Sequence, residues 1–226
     1  MLCSAGGSSA PDSCCGTVRR MREIRPGLWH WTAIHPSIGI TVSGYRLVAE
    51  RVLLDPVVPE EGAGVLGDLP PTDVLLTNRH HWRGCTELIA AFGVTVHAPR
   101  SGLHEFGLDR PVTPYDPGDE LPGGAVVHEV GHLCPDEMAL WFPAYRALAI
   151  ADGTIRHPPG GPLAFVPDRL IGENPELVKA ALRDRYGELA RELRPDVLLL
   201  AHGEPIIDGG GAELERFSRE GGSAEF

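Results

Sequence analysis

The hydrophobic residues of the chain fall into short, β-rich runs that form two groups along the sequence. Runs of this length, rich in Val, Ile, Leu and aromatic residues and bounded by Gly or Pro, are typical of buried β-strands. The first group makes a meander that closes at Pro56 and then continues, with runs at 28–31, 38–42, 45–48, 51–54, 74–77 and 94–97. The second group has runs at 125–130, 138–142, 147–150 and 197–200.

Helical patterns follow each group of strands. A short helix is expected at 64–69, and another at 87–92 with Gly93 in the position of a C-cap. Asn174 and Pro175 predict the start of a longer helix. Its apolar stripe, at steps of three and four residues, consists of Val178, Leu182, Tyr186, Leu189 and Leu193. A last helix is expected at 213–219. Strands followed by helices, twice over, favour an α+β fold in which two sheets pack face to face with helices outside.

Composition narrows the class of protein without naming a function. The chain has 226 residues, 42% of them hydrophobic, and a net charge of −11, which is typical of a soluble globular protein. No cluster of Lys and Arg marks a nucleic-acid surface, and no apolar run is long enough to span a membrane. Partners are therefore expected among small molecules, and the sequence leaves the oligomeric state open.

The first 20 residues differ from the rest of the chain. They are rich in Gly, Ser and Cys and lack the apolar stretch of a signal peptide, so 1–20 is predicted to be a disordered tail. Met21 is a second candidate for the native start, and 21–226 is predicted to be one domain. Only Cys85 and Cys134 remain in that domain, which favours reduced thiols and a cytoplasmic location.

Candidate chemistry lies just after the buried runs, where loops meet. Thr77-Asn78-Arg79-His80-His81-Trp82-Arg83-Gly84 follows the run at 74–76. Val130-Gly131-His132 and Ala151-Asp152-Gly153 follow two runs of the second group, and Ala201-His202-Gly203 follows the last. Imidazole and carboxylate side chains are ligands that zinc prefers.

The order and spacing of these stretches resemble the metallo-β-lactamase-fold superfamily. His132 resembles the histidine of its Pro-Gly-His, Asp152 the aspartate of its Gly-Asp-Thr, and His202 the histidine of its Gly-His-Gly-x-Pro. Asp55 resembles its structural aspartate at the end of an early strand. The resemblance covers nearly all of 22–210 and implies a four-layer αββα sandwich with its metal site at one edge of the sheets.

The first loop departs from the Thr-His-x-His-x-Asp-His motif of that superfamily. In one register Asn78 and His80 stand at the first two histidine positions, and Trp82 and Arg83 at the last two ligand positions. Shifted by one residue, Arg79 and His81 take the histidine positions, and Arg83 and Gly84 the last two. Either register keeps one imidazole, loses three ligands and introduces an arginine, which stays protonated and repels a cation.

Two functions remain open from the sequence. In one, the metal site is degraded and non-catalytic or weakly active, and the old cleft binds a small anionic ligand through Arg79 and Arg83. In the other, a mononuclear zinc site hydrolyses a small ester, thioester or lactone, with Asp152 and His202 in catalytic roles. The metal ligands are drawn from His80, His81, His132, Asp152 and His202, and they imply one weakly held zinc ion or none.

Several of these residues have simpler structural interpretations. A histidine at the end of a strand is often only hydrogen-bonded, and Asp55 is expected to hold loop amides. Cys85 beside the first loop is a candidate soft ligand or nucleophile, although no base partner for it is evident. Trp82 is either a wall of the pocket or part of the core.

Overall fold

A computed structural model describes residues 20–35, 37, 39–107, 110–156 and 160–224. The tail predicted for 1–20 therefore lies almost wholly outside the described residues, as does His157. The strands are β1 (Arg22–Arg25), β2 (Leu28–Ile34), β3 (Thr41–Leu47), β4 (Val52–Leu54), β5 (Asp73–Leu75), β6 (Thr95–Pro99), β7 (Thr113–Tyr115), β8 (Glu120–Leu121), β9 (Ala125–Glu129), β10 (Met138–Phe142), β11 (Ala147–Ile150), β12 (Ile155–Arg156), β13 (Leu163–Ala164) and β14 (Val197–Leu200).

Three α-helices and six short 3₁₀ helices complete the described elements. The α-helices are α1 (Cys85–Phe92), α2 (Pro175–Leu193) and α3 (Gly210–Glu220). The 3₁₀ helices are Ala63–Leu66, Arg79–Trp82, Arg100–Glu105, Pro122–Gly124, Pro143–Tyr145 and Asp168–Leu170. Within the described ranges, none of the helices is both long and apolar enough to cross a membrane.

The strands form two main sheets and a small hairpin. One sheet has seven strands in the order β1-β2-β3-β4-β5-β6-β7, the other has five in the order β14-β11-β10-β9-β8, and β12 pairs with β13. Along the first sheet the early strands are antiparallel, whereas β4 to β7 run parallel. In the second sheet β11 and β14 are parallel, so the loops that follow them leave from the same edge.

Three apolar clusters separate the layers of the molecule. The first lies between the two sheets and includes Leu47, Leu75, Leu140 and Leu199. The second lies between the five-stranded sheet and helices α2 and α3, and includes Leu148, Leu198, Leu182, Leu189 and Phe217. The third covers the outer face of the seven-stranded sheet with α1, and includes Leu53, Val74, Val96 and Leu88. The predicted α+β arrangement, with two sheets between helical layers, is confirmed.

Element boundaries agree with the sequence pattern in most places and differ in two. Gly93 ends α1 in the left-handed conformation, with φ +67°, as a C-cap glycine does. The short helix expected at 64–69 is a single 3₁₀ turn, Ala63–Leu66, because Gly64 and Gly67 disfavour a longer helix. Asn174 precedes α2, but its side chain makes no capping hydrogen bond. Pro175, at the first helical position, has no N–H, so this end of the helix has one fewer donor that needs a capping hydrogen bond.

The two sheets are joined by polar contacts at the edge that carries His202. The buried hydroxyl of Tyr45 on β3 donates to the carbonyl of Leu200 at 2.8 Å and accepts from the N–H of Leu200 at 2.9 Å. The N–H of Ser43 donates to the carbonyl of Ala201 at 3.0 Å, and its hydroxyl to the carbonyl of Gly203 at 2.9 Å. The end of β14 is therefore fixed against the opposite sheet.

Tyr45→Phe tests how much of the fold depends on this joint. Removing the hydroxyl leaves the N–H and carbonyl of Leu200 without their buried partner, which is expected to cost about 1–3 kcal/mol of unfolding free energy. Thermal and denaturant melts measure the change. Tyr145→Phe is the matched control, since the hydroxyl of Tyr145 reaches the carboxylate of Glu50 in a half-buried position. A loss for Tyr45→Phe no larger than for the control contradicts the assignment.

Candidate functional site

The loop after β5 is held by the buried carboxylate of Asp55 at the end of β4. One oxygen of Asp55 accepts from the N–H of Thr77 at 2.8 Å, and the other from the hydroxyl of Thr77 at 2.6 Å. The second oxygen also lies 3.0 Å from Nδ1 of His81. The structural role expected for Asp55 is confirmed, and its contacts include the imidazole of His81 as well as a loop amide.

His81, Asp152 and His202 converge at the edge where the two sheets meet, and we call them the histidine–aspartate group. Oδ1 of Asp152 lies 3.1 Å from Nε2 of His81 and 3.1 Å from Nε2 of His202. Among the described residues, these three offer ligand atoms that all lie within 4.8 Å of one another. The other carboxylate oxygen of Asp152 accepts from Nδ2 of Asn78 at 3.0 Å.

The parallel strands β11 and β14 bring two members of this group together. Asp152 follows β11 after one intervening residue and His202 follows β14 in the same way, so both leave the sheet on neighbouring loops. The buried side chain of Glu137 fixes the Asp152 loop, because its Oε1 accepts from the N–H of Gly153 at 2.6 Å. A side chain at Gly153 has no room, since a Cβ there lies 2.2 Å from the hydroxyl of Tyr186.

The charges of the group depend on one another. Burial and the nearby Arg83 lower the pKa of His81, but the carboxylates of Asp55 and Asp152 outweigh both and leave this pKa above its usual value. Burial raises the pKa of Asp152, yet His81 and His202 hold it well below its usual range. The metal-free group is therefore an ionised carboxylate stabilised by imidazole donors.

The structure resolves the register of the first loop in favour of His81. His81 is buried and points into the group, whereas His80 is exposed and lies beside it. The chain doubles back here because Asn78 caps the 3₁₀ turn Arg79–Trp82, with its Oδ1 accepting from the N–H of His80 at 2.9 Å. Trp82, next to His81, is buried and donates from Nε1 to the hydroxyl of Thr86.

His132 is not part of the group. It is exposed, in a tight turn after β9, and its backbone has a φ of +40°. The N–H groups of Val130 and Gly131 both donate to the carbonyl of Glu137, which closes this turn. Among the described residues, the compact group comprises His81, Asp152 and His202, and His132, which was predicted with them, lies outside it.

Among the described residues, Asp152 makes no ion pair with either arginine of the first loop. Arg79 forms ion pairs with the buried carboxylate of Asp136 and, at 2.7 Å from its Nε, with Glu105. Arg83 donates from Nη1 to the carbonyls of Ser43 and Asp55, both at 3.1 Å. The carboxylate of Asp152 is already matched by two imidazoles and an amide, which removes the need for a guanidinium.

A cavity of about 320 Å³ opens beside the group, and both arginines line it. We call it the arginine cavity, and its lining residues are His35, Ser37, Arg79, His80, Trp82, Arg83, Glu105 and Arg110. Burial and the nearby charges of Arg83, His202 and His81 lower the pKa of His35, and burial and Arg79 lower the pKa of His80. The three arginines against one lining carboxylate therefore give this cavity its positive charge at neutral pH.

Several residues of this region were not found from the sequence. His35, Ser37 and Arg110 have no motif around them and come from loops distant in sequence. Asp136 and Glu137 are both fully buried. Their position directly before the apolar run at 138–142 was the sequence signal that could have marked them as buried carboxylates. Cys85, a candidate nucleophile from the sequence, is buried in the core, and burial raises the pKa of its thiol far above the usual range. Trp82 lines the cavity, as one interpretation of it required.

The donor set of the histidine–aspartate group fits one zinc-like ion. Two imidazole nitrogens and a carboxylate oxygen are a common three-ligand zinc set with an open fourth position. Nδ1 of His81 bonds to Asp55, so its other nitrogen faces the group, as in carboxylate–histidine–metal arrangements. In the register that contains His81, Arg79, Arg83 and Gly84 stand at the other ligand positions of the superfamily motif, and none of the three supplies a ligand of the kind zinc prefers.

Comparison with known proteins identifies the fold. No family model matches the sequence, and no curated protein is similar to it. Solved structures do match over most of the chain. DIM-1 metallo-β-lactamase superposes with a TM-score of 0.64 at 13% identity, covering 90% of this chain and 99% of that one. The metallo-β-lactamase FIM-1 from Pseudomonas aeruginosa, in its mono-zinc form, gives 0.63 at 12% identity, covering 93% and 97%.

Proteins of other activities share the same architecture. Rubredoxin oxygen:oxidoreductase from Desulfovibrio gigas superposes with a TM-score of 0.56 at 16% identity, covering 89% of this chain and 62% of that one. The chain thus has the metallo-β-lactamase fold, as its sequence motifs predicted. A fold that carries both lactamases and an oxidoreductase does not specify the reaction, so function has to be argued from the site.

Glu137→Gln tests the electrostatics behind Asp152. Burial and the negative charge of Asp152 raise the pKa of Glu137 from 4.5 to about 8, although hydrogen bonds from Gly153 and Tyr186 act in the opposite direction. Because the folded protein then binds more protons than the unfolded chain between these values, its stability falls as the pH rises through this window. A neutral glutamine removes that fall, so the metal-free variant is expected to be more stable than the parent at pH 8 by about 1–3 kcal/mol.

Urea melts of chelator-treated protein at pH 5 and pH 8 measure this difference. Glu129→Gln is the matched control, because Glu129 is an exposed glutamate at the end of β9. Equal pH dependence in the parent and in Glu137→Gln means that the carboxyl of Glu137 does not titrate in this window.

Proposed function

We propose that this protein binds a small anionic ligand in the arginine cavity, beside a degenerate site that holds at most one metal ion. The single observation that carries this proposal is the lining of the cavity, in which three arginines lie with one glutamate. Its volume of about 320 Å³ lies at the lower end of the range for small-molecule sites. Free thiols at Cys85 and Cys134 agree with the reducing, cytoplasmic setting that we propose.

Electrostatics support an anion in preference to a neutral ligand. Clustered guanidinium groups repel one another in a partly enclosed cavity, and a bound anion relieves that repulsion. Guanidinium groups also match carboxylate and phosphate oxygens geometrically, which adds charge-assisted hydrogen bonds. The cavity is therefore better suited to a carboxylate or phosphate than to an amide or an alcohol.

A second candidate function is mononuclear, metal-dependent hydrolysis of a small ester, thioester or lactone. The observation in its favour is the histidine–aspartate group itself, with three ligand atoms in reach of one ion and His81 held by Asp55. A zinc ion bound there would supply a Lewis acid and an acidified water. Asp152 and His202 would bind the ion and orient that water, and the neighbouring cavity would hold the anionic part of the substrate.

Anion binding is tested by calorimetric titration of the full chain with acetate and inorganic phosphate at constant ionic strength. Acetamide serves as the neutral probe. Both anions are expected to bind and acetamide is not. His80→Glu, which adds a carboxylate to the cavity lining, is expected to weaken anion binding at least about tenfold, equivalent to 1.4 kcal/mol.

His104→Glu is the matched control for this experiment. His104 lies on the same 3₁₀ helix as Glu105, is exposed, and is not among the residues that line the cavity. Anion affinities that are equal in His80→Glu and His104→Glu, or binding of acetamide as tight as that of acetate, contradict the proposal.

Metal binding is tested separately by zinc titration of chelator-treated protein and by elemental analysis. One equivalent at most is expected to bind. His202→Ala is expected to reduce zinc affinity by more than about 100-fold, since it removes a direct ligand rather than an outer contact. His132→Ala is the control and is expected to leave the affinity unchanged. Two tightly held equivalents, or an equal loss in His132→Ala, contradict the ligand assignment.

A further inference from the structure

The charge of Arg79 is already matched within the protein. Its guanidinium pairs with the buried carboxylate of Asp136 and with Glu105, whose side chain lies at the cavity wall. The N–H of Arg79 also donates to Asp136 at 2.7 Å. Arg79 therefore shapes the cavity but has little charge left for a ligand.

Arg83 is held differently, by neutral groups. Its Nη1 donates to two backbone carbonyls, those of Ser43 on β3 and Asp55 after β4. In the part of the chain that the structure describes, its Nη2 has no hydrogen-bond partner and no carboxylate lies in ion-pair contact with it. The backbone of Arg83 is strained, with φ +29° and ψ −104°. The surrounding structure therefore holds Arg83 in this position despite an unfavourable local conformational energy.

The carboxylates nearest to Arg83 are engaged by other groups. Asp55 accepts from Thr77 and faces His81, and Asp152 faces His81, His202 and Asn78. Their field offsets the positive charge of Arg83 only in part. The guanidinium thus lies at the floor of the cavity with a fixed orientation and an open set of donors.

Arg110 is the corresponding group at the rim. Its guanidinium carbon lies 5.6 Å from the ring centroid of Trp82, in a cation–π contact, and the side chain is exposed. No described carboxylate forms an ion pair with it. Arg83 directly follows Trp82 in the chain, and Arg83, Trp82 and Arg110 all line the cavity.

We propose that the ligand of the arginine cavity is a compact dianion, with two anionic groups joined by a short apolar spacer. One anionic group binds Arg83 at the floor, the other binds Arg110 at the rim, and the spacer lies against Trp82. This inference rests on the proposed function and names its ligand class. A monoanion leaves one of the two guanidinium groups without an anionic partner, whereas a two-centre dianion matches both.

Calorimetric titrations of the full chain at constant ionic strength test the ligand class. The probes are succinate, glutarate and adipate, with butyrate as the monoanion, inorganic phosphate as a one-centre dianion and 3-phosphonopropionate as a mixed two-centre anion. At least one two-centre probe is expected to bind about tenfold or more tightly than butyrate and phosphate, because it adds a second charge-assisted contact. Whether the dicarboxylates or the phosphonate bind best distinguishes the two sources of the second anionic group.

Variants locate the two contacts. Arg83→Met and Arg110→Met are each expected to reduce the affinity for the best two-centre probe to that for butyrate. Arg100→Met is the matched control, since Arg100 is an exposed arginine paired with Asp116, and it is expected to change nothing. If Arg83→Met does not fold, Arg83→Lys replaces it and is expected to weaken the same probe, because a lysine lacks the planar donor pair. Arg110 is not one of the proposed metal ligands, so its effect separates cavity binding from chelation of a metal.

The outcomes separate this inference from the proposed function. Equal affinities for butyrate and every two-centre probe, or no effect of Arg110→Met, overturn the dianion while leaving anion binding in place. Phosphate that binds as tightly as the best two-centre probe overturns the spacer in the same way. No binding of any probe overturns the ligand class and the proposed function together.

Discussion

A buried carboxylate at the end of β4 determines the geometry of the whole site. Asp55 has two oxygens, and between them they fix an amide and a hydroxyl of Thr77 and the imidazole of His81. An ionised group in the core is stable only when each oxygen has donors, so the chain around 77–81 has little freedom to move. Because Nδ1 of His81 is used in this way, its Nε2 faces Asp152. The histidine–aspartate group and the position of the neighbouring arginines both follow from this contact.

The first loop supplies one member of the candidate metal group. His81 joins Asp152 and His202, so three ligand atoms suited to one metal lie close together. Asn78 contacts Asp152 through an amide hydrogen bond. In the register that contains His81, Arg79, Arg83 and Gly84 stand at the other ligand positions of the superfamily motif, and none of them offers a zinc ligand.

The arginine cavity and the histidine–aspartate group need not act separately. Arg83 contacts the carbonyl of Asp55, and His35 lies near both Arg83 and the two histidines of the group. A ligand in the cavity therefore lies beside the open side of the group. This arrangement is compatible with a binding protein that uses the group only for stability, and equally with a hydrolase that positions its substrate through the arginines. Whether the protein is a binding protein or a hydrolase depends on whether the histidine–aspartate group holds a metal. The affinity for that metal is set by its three ligands.

The sequence by itself determined the layers of the fold and most of the site. Short apolar runs, a glycine after α1 and the stripe of α2 specify elements through local physical chemistry, and Asp152 and His202 follow buried strands in recognisable motifs. The choice between His80 and His81 needed the tertiary structure, because it depends on which imidazole reaches Asp55 across the sheet. The exclusion of His132 depends on a tight turn closed by the carbonyl of Glu137. The partners of Arg79 and Arg83, and the meeting of His35 and Arg110 in one cavity, also lie far apart in sequence. Long-range packing decides such contacts, and no local pattern of residues encodes them.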